Sequence, residues 1–150
     1  MNEKNEFQES WLLCRAGSHL CALPLTQIAE VMRLLPIEPL AEAPPFMRGI
    51  AVIRGAPVAV LDLGRLLGQA RTAPTRLITA RVGGQTGGRM LGLAVTEVIG
   101  VRRADQLGTR TAVPLLREAA QESVSAIGVL DSEALLFLGN LQLLVEGIAA

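Results

Sequence analysis

Apolar residues recur in short runs that Gly or Pro interrupts about every eight to twelve residues, the cadence of a small barrel or sandwich with few long helices. Trp11 to Arg15 and His19 to Leu23 flank Ala16-Gly17-Ser18 and predict a hairpin whose Gly17 can take a positive φ. Pro24 has a fixed φ that suits a first helical turn, and Leu25, Ile28 and Met32 then recur at helical spacing, so a short helix is expected through Val31. Pro36, Pro39, Pro44 and Pro45 forbid its continuation and shorten any strand there. From Ile50 to Asp62 the pattern is two strands around Arg54-Gly55-Ala56. Asp62 is placed to cap a short helix whose Leu63, Leu66 and Leu67 face inward until Gly68 ends it.

Residues 68–74 are small and polar and read as a connector. Thr75 to Val82 and Arg89 to Thr96 predict another strand pair around a Gly-rich loop, and Val98 to Val101 can continue the sheet. Arg102 to Gln121 is a mixed insertion, partly helical or irregular. The last hairpin runs from Ala126 to Leu130 and from Ala134 to Gly139, and Asn140 caps a short apolar helix through Val145. The middle and the end of the chain share one form. Strand, turn, strand and Asp62-Leu63-x-x-Leu66-Leu67 stands against strand, turn, strand and Asn140-Leu141-x-x-Leu144-Val145, which supports two small β-barrels of like construction.

With 150 residues, 50% of them apolar, the chain has core material for one domain or two small fused barrels. The 14 basic residues cancel the 14 acidic ones, so no net field holds the protein on a phosphate backbone, and nucleic acid is not expected as a partner. One Trp, three Phe and no Tyr leave little for base-stacking platforms. No apolar run approaches the roughly 18 to 20 residues of a membrane span, and the polar, acidic start Met1 to Ser10 is unlike a signal peptide. A cytoplasmic protein with no direct membrane insertion is expected. Cys14 and Cys21 fall in the middles of two consecutive apolar segments. A cross-strand disulfide is geometrically open to them, but buried free thiols are the expectation in that compartment.

The chemistry of catalysis is sparse. His19 is the single histidine, it follows Ser18 in a turn, and Cys14, His19 and Cys21 match no standard zinc spacing. The Gly83 to Gly88 loop joins two strands and lacks the Lys-Ser/Thr of a phosphate-binding loop. Asp62, Asp105 and Asp131 read as cap or turn residues, and Glu3, Glu6 and Glu9 as a solvated tail. No enzyme activity, cofactor or metal is expected. Glu30, beside Val31, and Arg54, interrupting an apolar strand before Gly55, stand out. Either both face solvent at element ends, or they form an ion pair that fixes a partner-binding face.

From about Trp11 to Val145 the chain resembles the bacterial chemotaxis coupling protein family, the CheW-like domains. The run Ala43-Pro-Pro-Phe-Met-Arg-Gly-Ile-Ala-Val-Ile-Arg-Gly-Ala-Pro-Val-Ala-Val-Leu-Asp-Leu-Gly-Arg-Leu-Leu-Gly68 is similar to the family's P-x-F-[apolar]-x-G-[apolar]-x-N-L-R-G, apolar strand, D-L and short helix. Cys21 to Val31, Leu91 to Gly100 and the ending from Ile127 support it. Val52 stands where the family has Asn, Ile53 where it has Leu and Ala59 where it has Pro, and the Arg after Asp-Leu is displaced to Arg65.

The resemblance implies a mainly β fold of two five-stranded SH3-like β-barrel subdomains sharing a hydrophobic core, with short helices. A polar tail over residues 1–10 would precede a single domain over 11–150. The first barrel would span roughly 16–68 and the second roughly 75–140, to which the N-terminal strand can contribute, followed by a helix over 140–146. The implied function is a non-enzymatic adaptor joining the cytoplasmic tips of chemoreceptors to the regulatory domain of a CheA-type histidine kinase, recruited to receptor arrays at the inner membrane. Positions matching Ile28 and Gly49 lie at the kinase contact, and those matching Glu30, Arg54, Val98 and Val101 serve the receptor groove or its support. A decoy or inhibitor in a non-flagellar pathway is the alternative, and a small ligand-binding barrel or enzyme a more remote one.

Overall fold

The computed structural model describes residues 9–83, 88–112 and 124–144. The first hairpin forms as the apolar runs predict, with β1 (Ser10–Ala16) opposite β2 (His19–Pro24) around Gly17, whose φ is 65°. Ser10 therefore belongs to the strand and not to the tail.

The helix expected after Pro24 does not form. A single 3-10 turn, Leu25–Gln27, leads directly into β3 (Ile28–Arg33). Ile28, Glu30 and Met32 are half-buried and Ala29, Val31 and Arg33 exposed, an alternation of period two that the spacing of Ile28 and Met32 satisfies as well as a helical one. The ladder that β3 makes with β6 (Arg76–Val82) decides between them, because sheet pairing and β-branched Ile28 and Val31 outweigh a weak helical preference.

Next come β4 (Met47–Ile53) and β5 (Ala56–Asp62), joined by Arg54 and Gly55. Both turn residues have positive φ, 52° and 81°, the geometry of a two-residue hairpin loop that follows strand twist. Asp62 caps α1 (Leu63–Leu66) as expected, its Oδ1 accepting from the Arg65 N–H at 3.1 Å. Then follow β6, β7 (Arg89–Val95), β8 (Glu97–Arg103), the short β9 (Arg110–Ala112), β10 (Ala126–Leu130) and β11 (Glu133–Phe137). Asn140 Oδ1 accepts from the Gln142 N–H at 3.0 Å and so caps the turn at 142–144. The rest of that helix and much of the 102–121 insertion lie outside the described residues.

The strands form two sheets, ordered β3-β6-β7-β5-β4 and β8-β1-β2-β11-β10-β9. The first five positions of each repeat one plan: an edge strand antiparallel to a hairpin, a parallel ladder, then a second hairpin. β9 adds a sixth, three-residue strand to the second sheet. Sheet membership departs from the division at 16–68 and 75–140. The β6–β7 hairpin completes the sheet of β3, β4 and β5, and the β1–β2 hairpin completes that of β8, β10 and β11. The division marks a repeat in sequence, whereas parallel ladders require crossovers, and here each crossover reaches into the opposite half.

Two SH3-like barrels sharing a hydrophobic core result. Alternate residues of each central strand point to opposite faces, and both faces are covered. Leu12, Cys14, Leu61, Ile78, Leu93 and Leu138 belong to the shared layer. Ala51, Ile53, Val60, Leu77 and Ala94 fill one barrel, with Met32 and Met90 packed against them. Trp11, Leu13, Leu20, Leu135 and Phe137 fill the other, Trp11 meeting Phe137 edge-on at 5.0 Å between ring centres.

Cys14 lies directly opposite Cys21, and both are buried free thiols. Burial pushes the Cys21 thiol up to about 12 and Cys14 well above its ordinary value. Neither is expected to react with a water-soluble disulfide reagent at pH 8 in the native protein, and both should react on addition of denaturant. Stoichiometric labelling without unfolding would contradict the packing.

Candidate functional site

Glu30 on β3 and Arg54 in the β4–β5 turn lie 24 positions apart in sequence, on opposite margins of one sheet. Closure of the barrel brings them together. The Arg54 Nε donates to Glu30 Oε1 at 3.1 Å and its Nη2 donates to Oε2, a two-pronged fit of planar guanidinium to carboxylate. The hydrogen bonds with Arg54 lower the pKa of Glu30 and raise that of Arg54. The side chains are 75% exposed for Arg54 and 37% for Glu30, so water screens the attraction and the pair's main effect is to fix where the cation stands.

Gly49 holds the same closure from within. The loop after β3 crosses it, with the Glu38 N–H donating to the Ile50 carbonyl at 2.8 Å and the Ile50 N–H returning to Glu38 at 2.9 Å. A Cβ on Gly49 would stand 2.0 Å from the Glu38 oxygen and 2.9 Å from Pro39 Cα, and its φ of 139° is one that side chains rarely adopt. Gly49 is thus buried beneath this crossing. Ile28 is half-buried against the shared core.

Val98 and Val101 stand on the other barrel, on β8. Each outer strand carries a bulge, at Ala29 between Ile28 and Glu30 and at Ile99 between Val98 and Gly100. The bulges align Ile28 with Val98, both half-buried against the shared core, and Val31 with Val101, 44% and 48% exposed. The structure therefore joins Glu30 to Arg54, places Ile28 on the same strand and Gly49 under the same closure, and sets Val98 and Val101 at the matching place in the second barrel.

Three features escape a reading of the sequence for single charged residues. Val52, opposite Pro57 on β4, is 66% exposed, and Val129 on β10 is its counterpart at 63%; the alternation of buried Gly49, Ala51 and Ile53 is the signal that turns Ile50 and Val52 outward. Arg15 donates to both Glu133 oxygens at 2.7 and 2.9 Å and lies 3.5 Å from Glu97. Asp62, beyond its cap role, accepts from Arg48 Nη1 at 2.9 Å and from the Thr72 hydroxyl. Among the described residues no group of three or more His, Cys, Asp or Glu could hold a metal, and no helix is long and apolar enough to cross a membrane.

Comparison with known proteins adds three findings. Residues 10–148 match the model of the CheW-like domain family. The chain is similar to Protein FrzA of Myxococcus xanthus, 34% identical over 99 residues, which cover 64% of this chain and 59% of that protein. Its fold is similar to that of the scaffolding protein TtCheW from Thermoanaerobacter tengcongensis, with a TM-score of 0.72 and 20% identity over 90% of this chain and 92% of that one.

Proposed function

The chain belongs to the CheW-like domain family, and on that premise we propose that it is a non-enzymatic adaptor coupling the cytoplasmic tips of chemoreceptors to the regulatory domain of a CheA-type histidine kinase. The observation that carries this reading is the Glu30–Arg54 pair, a fixed, exposed cation on a closed barrel flanked by the exposed Val31 and Val52. Apolar residues rimmed by oriented charge are the anatomy of a protein docking surface. Ile28, with Gly49 supporting the crossing of the loop that follows its strand, serves the kinase. Glu30, Arg54, Val98 and Val101 serve the receptor. The protein works in the cytoplasm and reaches receptor arrays at the inner membrane through the receptors themselves. Kinship to a protein described as scaffolding favours bridging over inhibition.

Reconstitution of receptor fragment, kinase and this protein tests the reading: the three together should co-sediment, or activate the kinase, beyond any two. Equal output with and without the protein would overturn coupling and leave a decoy. Arg54→Ala should weaken receptor-fragment binding about tenfold, as loss of an Arg anchor does, with little change in thermal midpoint because the pair is exposed. Glu30 should remain ionised below the ordinary carboxylate range. The Arg54-dependent part of binding is therefore full at neutral pH and lost only as pH falls through that lowered value.

A further inference from the structure

We propose that the chain exchanges halves with a second copy of itself, forming a dimer in which residues up to Thr72 of one molecule complete the barrels with residues from Thr75 onward of the other. The pairing of strands carries the argument. β3–β6, β5–β7, β1–β8 and β2–β11, the ladders that tie hairpins and outer strands into sheets, all join the first half to the second. So do the Arg15 bonds to Glu133 and Glu97, the Leu138 N–H to Ala22 carbonyl bond at 3.0 Å and the Leu141 N–H to Gln27 Oε1 bond at 2.9 Å. Within one half remain the hairpins, the Glu30–Arg54 pair, the Glu38–Ile50 crossing and the Asp62 cap. A second copy presents every one of the interhalf partners in the same order.

The link between the halves is narrow. Gln69 is fixed to the first half, its Nε2 donating to the Ala16 carbonyl at 2.6 Å and its Oε1 accepting from the Ser18 N–H at 2.8 Å, and Thr72 is fixed there through Asp62. Thr75 is fixed to the second half, its N–H donating to the Val95 carbonyl at 2.9 Å and its hydroxyl to that of Thr96 at 2.7 Å. Only Ala73 and Pro74 lie between these anchors. Pro74 has a fixed φ and holds Ala73 to extended conformations, so the link has little slack for a return, and short hinge loops are the ones that invite exchange. The exchanged dimer keeps every ladder and ion pair named above. It differs from the monomer in the path of two residues and in the translational freedom of one molecule, so it gains with concentration, and conversion requires the halves to separate. On the proposed adaptor function, such a dimer carries two copies of each docking face and can cross-link partners.

Refolding the full chain from denaturant over a range of concentrations, followed by size-exclusion chromatography with light scattering, tests this independently of any receptor or kinase. A dimer fraction that grows with refolding concentration and persists on dilution until the protein is unfolded is the expected result. Deleting Ala73 and Pro74 removes about 7 Å of reach and should make the dimer dominant, and inserting six Gly/Ser residues there should abolish it. Monomer alone at every concentration for the wild-type chain, or a dimer that dissociates simply on dilution, would overturn the proposal even if the deletion variant failed to fold.

Discussion

Gly49→Ala is expected to cost about 2 to 6 kcal/mol, the sum of about 1 to 3 kcal/mol of backbone strain and of two crossing hydrogen bonds worth roughly 0.5 to 1.5 kcal/mol each. The added Cβ meets the backbone oxygen of Glu38 at 2.0 Å, and no rotamer can relieve a clash with main chain. Either residues 38–39 lift away and break both Glu38–Ile50 bonds, or β4 twists out of its ladder with β5. Against a typical total of about 5 to 15 kcal/mol the loss is large, and at about 2 to 4 °C per kcal/mol for a chain of this size it should lower the thermal midpoint by about 4 to 24 °C. Gly55→Ala is the control, since that position also has a positive φ, 81°, but nothing within 4 Å of the added carbon. It should cost about 1 to 2 kcal/mol, from the left-handed backbone alone. Equal losses at the two glycines in urea titrations would show that the Glu38 crossing yields without cost. The consequence for function is direct: weak kinase binding by a Gly49 variant has to be judged on its folded fraction before Gly49 is counted as a contact.

What the sequence discloses and what it hides divide along a physical line. Turns and caps are local, so Gly17, the Arg54-Gly55 pair, Asp62 and Asn140 are legible where they stand. The likeness of the two halves is legible for the same reason, as a repeated local pattern. Pairing between halves is not local. Nothing in the composition of β6 and β7 says that they complete the sheet of β3 to β5, and the natural assumption that a repeat folds on itself fails here. The segment after Pro24 misleads because Ile28 and Met32 fit both periods, and the deciding interaction, the ladder to residues 76–80, lies nearly fifty positions away. Arg15 and Glu133 are 118 positions apart and meet because the β1–β2 hairpin lies beside β11. At the candidate site the family likeness supplies Glu30 and Arg54, but the barrel supplies their contact. It also explains Gly49, whose buried place under Glu38 makes it a support for the surface.

Asp62→Ala should be the other severe lesion, at about 2 to 4 kcal/mol. The side chain is 1% exposed and its two oxygens serve the Arg65 N–H at the start of α1, the Arg48 guanidinium and the Thr72 hydroxyl. Loss of an N-cap alone costs about 0.5 to 2 kcal/mol, and breaking a buried ion pair about 3 to 5. The second figure is discounted here because the Arg48 side chain, 37% exposed, regains water when its partner is gone. Asp62→Asn keeps an oxygen for the Arg65 N–H and should lose about half as much. Arg48→Ala should add little to Asp62→Ala, since the two removals share one interaction, and strict additivity in that cycle would sink the network. Equal losses for Asn and Ala would place the whole effect on the charge and none on the cap. Removing Asp62 also releases Thr72, which leaves Ala70, whose carbonyl accepts from Arg65 Nη1 at 3.0 Å, as the last anchor on the first half and residues 71–74 free in place of Ala73 and Pro74. A longer, looser link lets the halves return to each other within one molecule, so the exchanged dimer should fall in proportion for Asp62→Ala under the same refolding conditions. A rise in that fraction instead would mean that lost stability, and not the shortness of the hinge, drives the exchange.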